Sequence, residues 1–256
     1  MSKPYHTALV TGASRGIGAA ISRALVGEGL VVHALARNVE ALQELAAELG
    51  PNLRPLACDV RDAAAVASAL EGIEIDVLVN NAGAVASVKP LHEQSLEETA
   101  NTIALNLTAP LHLLQTLLPG MINRRKGHVF NLSSTAAQGA LANTAVYGAT
   151  KAALAHATKA LRFDLAGHNI RLTEIAPGRV ETDFYLSAFE GDRARLSETM
   201  YTRQRGLHPQ DVADTVVMAL RMPARANVTQ LTISPTDQAL GGHVFPDAQH
   251  PDEADA

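Results

Sequence analysis

A tyrosine and a lysine stand four residues apart in a stretch of helical composition, Ala145 to Leu165. Residues at this spacing face the same way, so Tyr147 and Lys151 are expected to lie one helical turn apart. A phenol has an ordinary pKa of ~10, and a neighbouring ammonium group favours the phenolate and lowers that pKa. Ser134, thirteen residues before the tyrosine, adds a hydroxyl for the same substrate oxygen. The three side chains predict proton transfer to and from a carbonyl or alcohol oxygen.

A glycine-rich segment, T-G-A-S-R-G-I-G from Thr11 to Gly18, follows an apolar run and precedes a helical one. Glycines permit a tight turn, and the helix N-terminus behind it offers unpaired N–H groups to a pyrophosphate. The spacing is G-x-x-x-G-x-G, so the interpretation depends on the position between first strand and first helix. A purely structural turn is the alternative. The expected dinucleotide contacts are Gly12, Ser14, Arg15, Gly16, Ile17 and Gly18.

The end of the second apolar run, Ala34 to Asn38, contains no carboxylate. Enzymes that use NAD usually hold the adenosine ribose with a carboxylate at this point. A carboxylate would repel a 2′-phosphate, whereas the Arg37 guanidinium neutralises one and Arg15 can approach it from the turn. The sequence therefore favours NADP(H) over NAD(H), with Arg37 and Asn38 as contacts. The alternative is that Arg37 only solvates the next helix.

Short β-rich apolar runs alternate along the chain with stretches of helical composition. The runs are Thr7 to Thr11, Val31 to Ala36, Leu53 to Cys58, Val77 to Asn80, His128 to Ser133, Ile170 to Ile175 and Val228 to Ser234. Such alternation is typical of right-handed βαβ crossovers that build a parallel sheet buried on both faces. A closed eight-stranded barrel is the competing architecture, but it does not predict the glycine-rich turn. We therefore predict an α/β fold with an open, doubly wound, seven-stranded parallel sheet and helices on both faces.

The composition fits one folded domain, which we assign to residues 1–240. The 256 residues are 47% hydrophobic and 18% charged, and the formal net charge is -5 without a long run of one sign. This balance argues against nucleic-acid binding. A single cysteine, Cys58, excludes an intramolecular disulfide, and no leader or bilayer-spanning apolar segment is visible, so we expect a cytoplasmic protein without membrane association. The ten histidines form no cluster, so we expect no metal site.

Two further regions depart from the alternation. Residues 180–208 hold four of the nine aromatic residues, Phe184, Tyr185, Phe189 and Tyr201. We interpret the region as a mobile lid over an apolar ligand; a helical insertion packed on its own aromatics is the alternative. Arg179 directly before this region and four arginines within it would either attract an anionic substrate or form a solvated face; the four are Arg193, Arg195, Arg203 and Arg205. Residues 241–256 are expected to form a flexible C-terminal tail.

Five motifs, in this order, resemble the short-chain dehydrogenase/reductase superfamily in its classical form. They are the segment Thr11 to Gly18, Asn80 to Gly83, Ser134, Tyr147 with Lys151, and Pro177 to Thr182. The resemblance extends from about Thr7 to Ser234. It implies a Rossmann-like fold and an NADP-dependent alcohol dehydrogenase or carbonyl reductase for a small molecule. Members are commonly homotetramers, so it also implies a homo-oligomer, either a tetramer or a dimer.

The resemblance implies a role for each matched residue. Tyr147 would be the general acid and base, and Lys151 its electrostatic partner and a ligand of the nicotinamide ribose. Ser134 would hydrogen-bond the substrate oxygen, and Asn106 would hold a water that links Lys151 to solvent. The implied cofactor contacts are Asp59 and Val60 at the adenine, Asn81, Ala82 and Gly83 along the adenosine, and Pro177, Gly178, Val180 and Thr182 at the nicotinamide carboxamide. The alternative for Asp59 is an N-cap of the helix that begins near Asp62.

The end of the chain bears on the branch of the superfamily. Ketoacyl reductases usually close with a T-G-Q turn and a Gly-Gly segment, and here Gly241 and Gly242 come too late to match. The ending looks more like the branch that acts on 3-hydroxy acids, serine-type substrates and small aldehydes or ketones, with a 3-oxoacyl-thioester reductase as the alternative. A non-catalytic NADP-binding sensor would typically have lost the tyrosine or the lysine. A sugar-nucleotide epimerase would need a larger C-terminal domain.

Overall fold

The computed structural model describes residues 5–186, 191–200, 206–236 and 238, and its centre is a seven-stranded parallel sheet. The strands are β1 (Thr7–Thr11), β2 (Val31–Ala36), β3 (Leu53–Ala57), β4 (Val77–Asn80), β5 (Gly127–Leu132), β6 (Ile170–Pro177) and β7 (Gln230–Ile233). They lie in the order β3-β2-β1-β4-β5-β6-β7. The chain therefore changes direction between β1 and β4, and a crevice opens at the carboxyl ends of these two strands. The predicted doubly wound sheet is confirmed.

Eight α-helices of the described chain connect and flank the strands. They are α1 (Gly16–Gly27), α2 (Val39–Leu49), α3 (Ala63–Ala69), α4 (Leu96–Ile103), α5 (Ala109–Arg124), α6 (Ala145–Asp164), α7 (Arg193–Met200) and α8 (Pro209–Arg221). Side chains cap the N-termini of some of these helices. The Asn38 side chain accepts a hydrogen bond from Ala41 N at α2, and Ser95 and Glu98 form a capping box at α4. A π-helix, Ala104–Thr108, joins α4 to α5 without a break.

Apolar layers cover both faces of the sheet, as a strand buried on two sides requires. On one face, Val10 and Phe130 of the sheet share a buried cluster with Val216 of α8. On the other face, Leu78 and Val129 share a cluster with Leu113 of α5 and the first residues of β6. Because side chains alternate along each strand, both layers come from the same short apolar runs. The packed sheet holds its carboxyl edge rigid.

The strand predictions differ from the structure mainly at the C-terminal edge. β6 continues two residues beyond the prediction, to Pro177, because β7 pairs with it from Glu174 to Pro177. In the predicted lid region, a 3-10 turn covers Asp183–Tyr185 and α7 follows. Phe189, Tyr201, Arg203, Arg205 and the predicted tail lie outside the described residues. Within the described part, no helix is long and apolar enough to span a bilayer, and no three His, Cys, Asp or Glu side chains group as metal ligands.

Candidate active site

Helix α6 brings Tyr147 and Lys151 to the carboxyl end of β5. Both side chains lie on the buried face of the helix, with 8% and 4% of their surface exposed. The Lys151 Nζ lies 5.9 Å from the centroid of the Tyr147 ring and donates a hydrogen bond of 2.8 Å to the carbonyl oxygen of Leu132. Leu132 is the last residue of β5, so this bond fixes the lysine against the strand end. Tyr147 and Lys151 therefore lie on one face of α6, as their spacing in the sequence predicts.

Ser134 completes the group two residues after β5. Its Oγ accepts a hydrogen bond of 3.1 Å from Ala136 N and also bonds the Tyr147 side chain. Its neighbour Ser133 has a different environment and donates a bond of 2.6 Å to Oε1 of the buried Glu174. The two serines therefore bond different side chains. Ser134 is the one that bonds the Tyr147 phenol, as predicted from its position thirteen residues before the tyrosine.

Asn106 lies in the middle of the π-helix and is fully buried. Its Oδ1 accepts from Ala84 N and its Nδ2 donates to Ala84 O, each at 2.9 Å, so it holds the segment that follows β4. A Cβ added to Gly83 would lie 3.0 Å from Asn106 Oδ1 and 3.3 Å from Lys151 Nζ. Asn106, Gly83 and Lys151 are thus packed together. Single π-turns of this kind are frequent at functional sites.

Burial dominates the proton affinities of the tyrosine and the lysine. It raises the pKa of Tyr147 above its ordinary value, and the neighbouring Tyr185 adds to this increase, while the Ser134 hydrogen bond opposes it. Burial lowers the pKa of Lys151 to about 8. The ammonium of Lys151 alone therefore does not lower the Tyr147 pKa, because burial outweighs it; the prediction of a lowered pKa also invokes the positive charge of an oxidised nicotinamide. Tyr147 is neutral at pH 7 and can donate a proton.

The glycine-rich turn and the end of β4 hold each other in place. The Asn81 Nδ2 donates 2.8 Å to Thr11 O, and Gly12 and Gly16 have φ of 65° and 54°, where glycine is favoured. A Cβ added to Gly18 would lie 2.2 Å from Gly12 O and 2.6 Å from Asn81 Nδ2. Gly18 therefore permits α1 to begin directly beneath the turn, with its N-terminus at the crevice.

The crevice has a volume of about 900 Å³. The predicted cofactor contacts that line it are Gly12, Ser14, Arg15, Gly16, Ile17, Arg37, Asn38, Asp59, Val60, Asn81, Ala82, Gly83 and Thr182. The other predicted contacts, which are not among its lining residues, are Gly18, Tyr147, Lys151, Pro177, Gly178 and Val180. Several further lining residues are not among the predicted contacts, including Arg61, Asn101, Leu105, Asp183 and Phe184.

At the end of the crevice that follows β3, Asp59 and Arg61 form an ion pair. The Arg61 Nη2 lies 2.6 Å from Asp59 Oδ2, and its Nη1 donates 3.0 Å to Asn101 Oδ1. Hydrogen bonding to Arg61 is the main cause that lowers the pKa of Asp59, with a smaller effect of Arg37. Asp62, rather than Asp59, caps α3, so the capping alternative for Asp59 is wrong. The only sequence signal for Arg61 was its place two residues after Asp59.

At the opposite end, the segment after β6 lies against the glycine-rich turn and the tyrosine. A Cβ added to Gly16 would lie 3.3 Å from Thr182 Cγ2. The Phe184 ring packs edge-on to Tyr147, with centroids 5.7 Å apart, and Tyr185 follows at 5.1 Å from Phe184. The members of this apolar cluster are Val85, Val88, Ala136, Leu141, Tyr147, Phe184 and Tyr185. The cluster forms an apolar wall beside the phenol.

Asp183 connects the glycine-rich turn with α7. One carboxylate oxygen lies 3.9 Å from Arg15 Nη1, and Arg193 Nη2 donates to the same carboxylate at 2.9 Å. Arg193, one of the arginines considered for an anionic substrate, is therefore paired with Asp183.

Comparisons with known proteins agree with this geometry. The family profile described as short chain dehydrogenase matches residues 6–192. The chain is 40% identical over 238 residues to an uncharacterized short-chain type dehydrogenase/reductase, y4eK, of Sinorhizobium fredii, covering 93% of this chain and 94% of the relative. It is 39% identical to the NADP-dependent 3-hydroxy acid dehydrogenase YdfG of Escherichia coli strain K12, covering 91% and 96%.

Solved structures give the same result. The closed form of serine dehydrogenase complexed with NADP+ has a TM-score of 0.89 and 38% identity, covering 92% of this chain and 97% of that one. A 3-oxoacyl-[acyl-carrier protein] reductase from Brucella melitensis has a TM-score of 0.79 and 29% identity, with 91% of each chain covered. With a matching profile over most of its length and these relatives, the chain belongs to the short chain dehydrogenase family.

Proposed function

We propose that the protein is an NADP-dependent oxidoreductase that interconverts a small alcohol and its carbonyl compound. The observation that carries this proposal is the convergence of Ser134, Tyr147 and Lys151 at the strand edge where the crevice opens. A hydroxyl, a neutral phenol and an ammonium at one point fit proton transfer to a substrate oxygen.

The crevice fits a dinucleotide that carries a 2′-phosphate. Glycines and the N-terminus of α1 suit a pyrophosphate, and a volume of about 900 Å³ is within the range of cofactor sites. Arg37 lines the crevice after β2, and Arg15 lines it from the glycine-rich turn with 65% of its side chain exposed, so each can offer a planar guanidinium to the phosphate. NADP-dependent relatives support the same preference. When bound, NADPH supplies the hydride.

Reduction requires a proton at the carbonyl oxygen as negative charge develops there. Tyr147 holds its proton at pH 7 because burial raises its pKa, so it can act as the acid. The Ser134 hydroxyl, bonded to the phenol, donates to the substrate oxygen and polarises the carbonyl. Lys151, whose pKa of about 8 keeps it mostly charged at pH 7, stabilises the phenolate that forms. Asn106, packed beside Lys151, holds the water that returns a proton from solvent.

The substrate class that we propose is a small hydroxy acid or the corresponding oxo acid. The apolar wall of Phe184 and Tyr185 beside Tyr147 favours a compact apolar portion, and relatives named for 3-hydroxy acids and serine support the acid group. A 3-oxoacyl thioester is the second candidate, because a reductase of that class has the same fold at 29% identity.

The proposal is tested by a panel of aldehydes, ketones, 3-hydroxy acids and acyl thioesters, followed at 340 nm with both nicotinamides. On the best substrate, Tyr147→Phe is expected to lower turnover by at least about a hundredfold, because the proton donor is removed. NADPH binding, measured by fluorescence titration, is expected to change less than about threefold, since the ring remains.

The matched control is Tyr5→Phe. The Tyr5 hydroxyl donates to Gly127 O, at the opposite end of the sheet from the crevice, so its loss is expected to leave turnover nearly unchanged. Turnover of Tyr147→Phe equal to that of the control would refute the mechanism.

We also propose a homo-oligomer that associates through the helices near Asn106 and Tyr147. Three large apolar side chains on α4 and α6 are exposed, Leu96, Ile103 and Phe163, and Phe163 exposes 85% of its surface, which favours an interface on these helices. Light scattering tests this, and a monomer at micromolar concentration would contradict it.

A further inference from the structure

Gln238, beyond the last strand, reaches back to the segment after β6. Its Oε1 accepts a hydrogen bond of 2.8 Å from the backbone N–H of Arg179. A Cβ added to Gly178 would lie 2.5 Å from this oxygen and 3.0 Å from the Ser234 Cβ. The amide of Gln238 therefore packs against Gly178, and a side chain at position 178 would displace this amide and crowd the Ser234 Cβ.

The backbone around Gln238 is fixed before its side chain makes this contact. Ile233 at the end of β7 pairs with Pro177, and its carbonyl accepts 2.7 Å from Gly178 N. The buried Pro235 begins a turn that closes with a hydrogen bond of 3.0 Å from Gln238 N to Pro235 O. The side chain thus starts from a defined turn packed on the segment it contacts.

The same segment is held from its other side by Leu207. Leu207 N donates 2.9 Å to Arg179 O, and Leu207 O accepts 2.8 Å from Glu181 N. Residues 178–181 are therefore hydrogen-bonded to Leu207 on one side and to the turn after β7 on the other. Among these contacts the one from Gln238 comes from a side chain, so a substitution can remove it and leave the backbone pairings in place.

We infer that Gln238 is a positioning residue for the nicotinamide end of the cofactor. The inference rests on the proposed function, in which Pro177 to Thr182 hold the nicotinamide carboxamide. Gln238 fixes the peptide between Gly178 and Arg179, and the chain then continues to Thr182, which lies against the glycine-rich turn. Without this contact the segment gains freedom at the point where the nicotinamide must be oriented, and the adenosine end of the crevice is unaffected.

The test compares two ligands that differ in the nicotinamide. NADPH is titrated by fluorescence, and 2′,5′-ADP, which has the 2′-phosphate but no nicotinamide, is titrated by calorimetry. Gln238→Leu keeps the size of the side chain and removes the acceptor, so NADPH is expected to bind about fivefold to tenfold more weakly, the range for loss of one hydrogen bond. The affinity for 2′,5′-ADP is expected to stay within twofold. Gln238→Glu keeps an acceptor oxygen and is expected to restore most of the NADPH affinity.

Gln138→Leu is the matched control, because Gln138 Nε2 donates its hydrogen bond of 2.9 Å to Thr232 Oγ1 of β7 rather than to the segment after β6. It is expected to bind both ligands like the wild type. Equal weakening of both ligands by Gln238→Leu, or no change in either, would overturn the inference. Failure of the wild type to bind NADPH would instead refute the proposed function, and the inference with it.

Discussion

We predict that Lys151 lowers the free energy of unfolding of the protein. The group is almost fully buried, and burial lowers its pKa from 10.5 to about 8. A shift of this size corresponds to about 3 kcal/mol at pH 7, where the folded chain must keep a charge away from water. Lys151→Met removes that cost and also removes the hydrogen bond to Leu132 O, which is worth about 1–2 kcal/mol. The variant is therefore expected to be more stable than the wild type by about 1–2 kcal/mol at pH 7.

The lowered pKa of Lys151 also determines how the free energy of unfolding changes with pH. Between about pH 8 and 10.5 the unfolded chain keeps the Lys151 proton and the folded chain has lost it, so the free energy of unfolding of the wild type rises with pH. At pH 9.5 about half of the electrostatic cost is gone, and the advantage of the methionine variant is expected to vanish. Tyr147, whose pKa is raised by burial, is present in both proteins, so its contribution largely cancels.

The assay is urea unfolding without added cofactor at pH 7 and pH 9.5. Lys159→Met is the control, because Lys159 is exposed on the same helix and its replacement is expected to change stability by less than about 0.5 kcal/mol. A variant at position 151 that is less stable than the wild type at pH 7 would refute the reasoning. A stability difference that is the same at both pH values would refute it as well.

Three further predictions concern the cofactor turn and the core. Gly18→Ala is expected to abolish NADPH binding and to lower the unfolding free energy by about 2–4 kcal/mol, because its Cβ would lie 2.2 Å from Gly12 O. Gly27→Ala on the same helix is the control and should bind normally, because a Cβ added there would meet no side chain and no other segment within 4 Å. Arg37→Asp is expected to shift preference toward NADH in kcat/KM, and a variant that still prefers NADPH would show that Arg37 does not read the phosphate. Burial, helped by a nearby arginine, lowers the pKa of His128 well below 6.5, so stability should fall by up to about 1.4 kcal/mol per pH unit below pH 6.5. Urea unfolding at pH 7 and pH 5 should give a shallower decline for His128→Gln, and an unchanged decline would contradict this assignment.

The sequence predicted the sheet well because apolar runs are local signals. The bounds of β1, β2 and β4 agree with the predicted runs, and the spacing of Tyr147 and Lys151 gave their common face. The π-helix around Asn106 left no mark in composition, since it changes the hydrogen-bond register inside an otherwise continuous helix.

Long-range contacts explain the other misses. Arg61 was not singled out from the sequence, and its hydrogen bond to Asn101 joins residues forty positions apart. The pKa of Tyr147 could not be predicted from spacing, because burial depends on Phe184 and on the fold around it. Gln238 contacts a backbone N–H fifty-nine residues earlier, and periodicity carries no information about such a pair.

The hydrogen bond from Asn81 to Thr11 joins residues seventy positions apart. The glycine-rich turn after β1 is therefore held by the residue that follows β4. A nascent chain in which β4 has not yet been synthesised lacks this contact at the pyrophosphate site. Binding of the dinucleotide therefore requires that β1 and β4 have already paired. Dinucleotide binding thus depends on correct folding of the first third of the chain, and the bound molecule then stabilises the folded state by mass action.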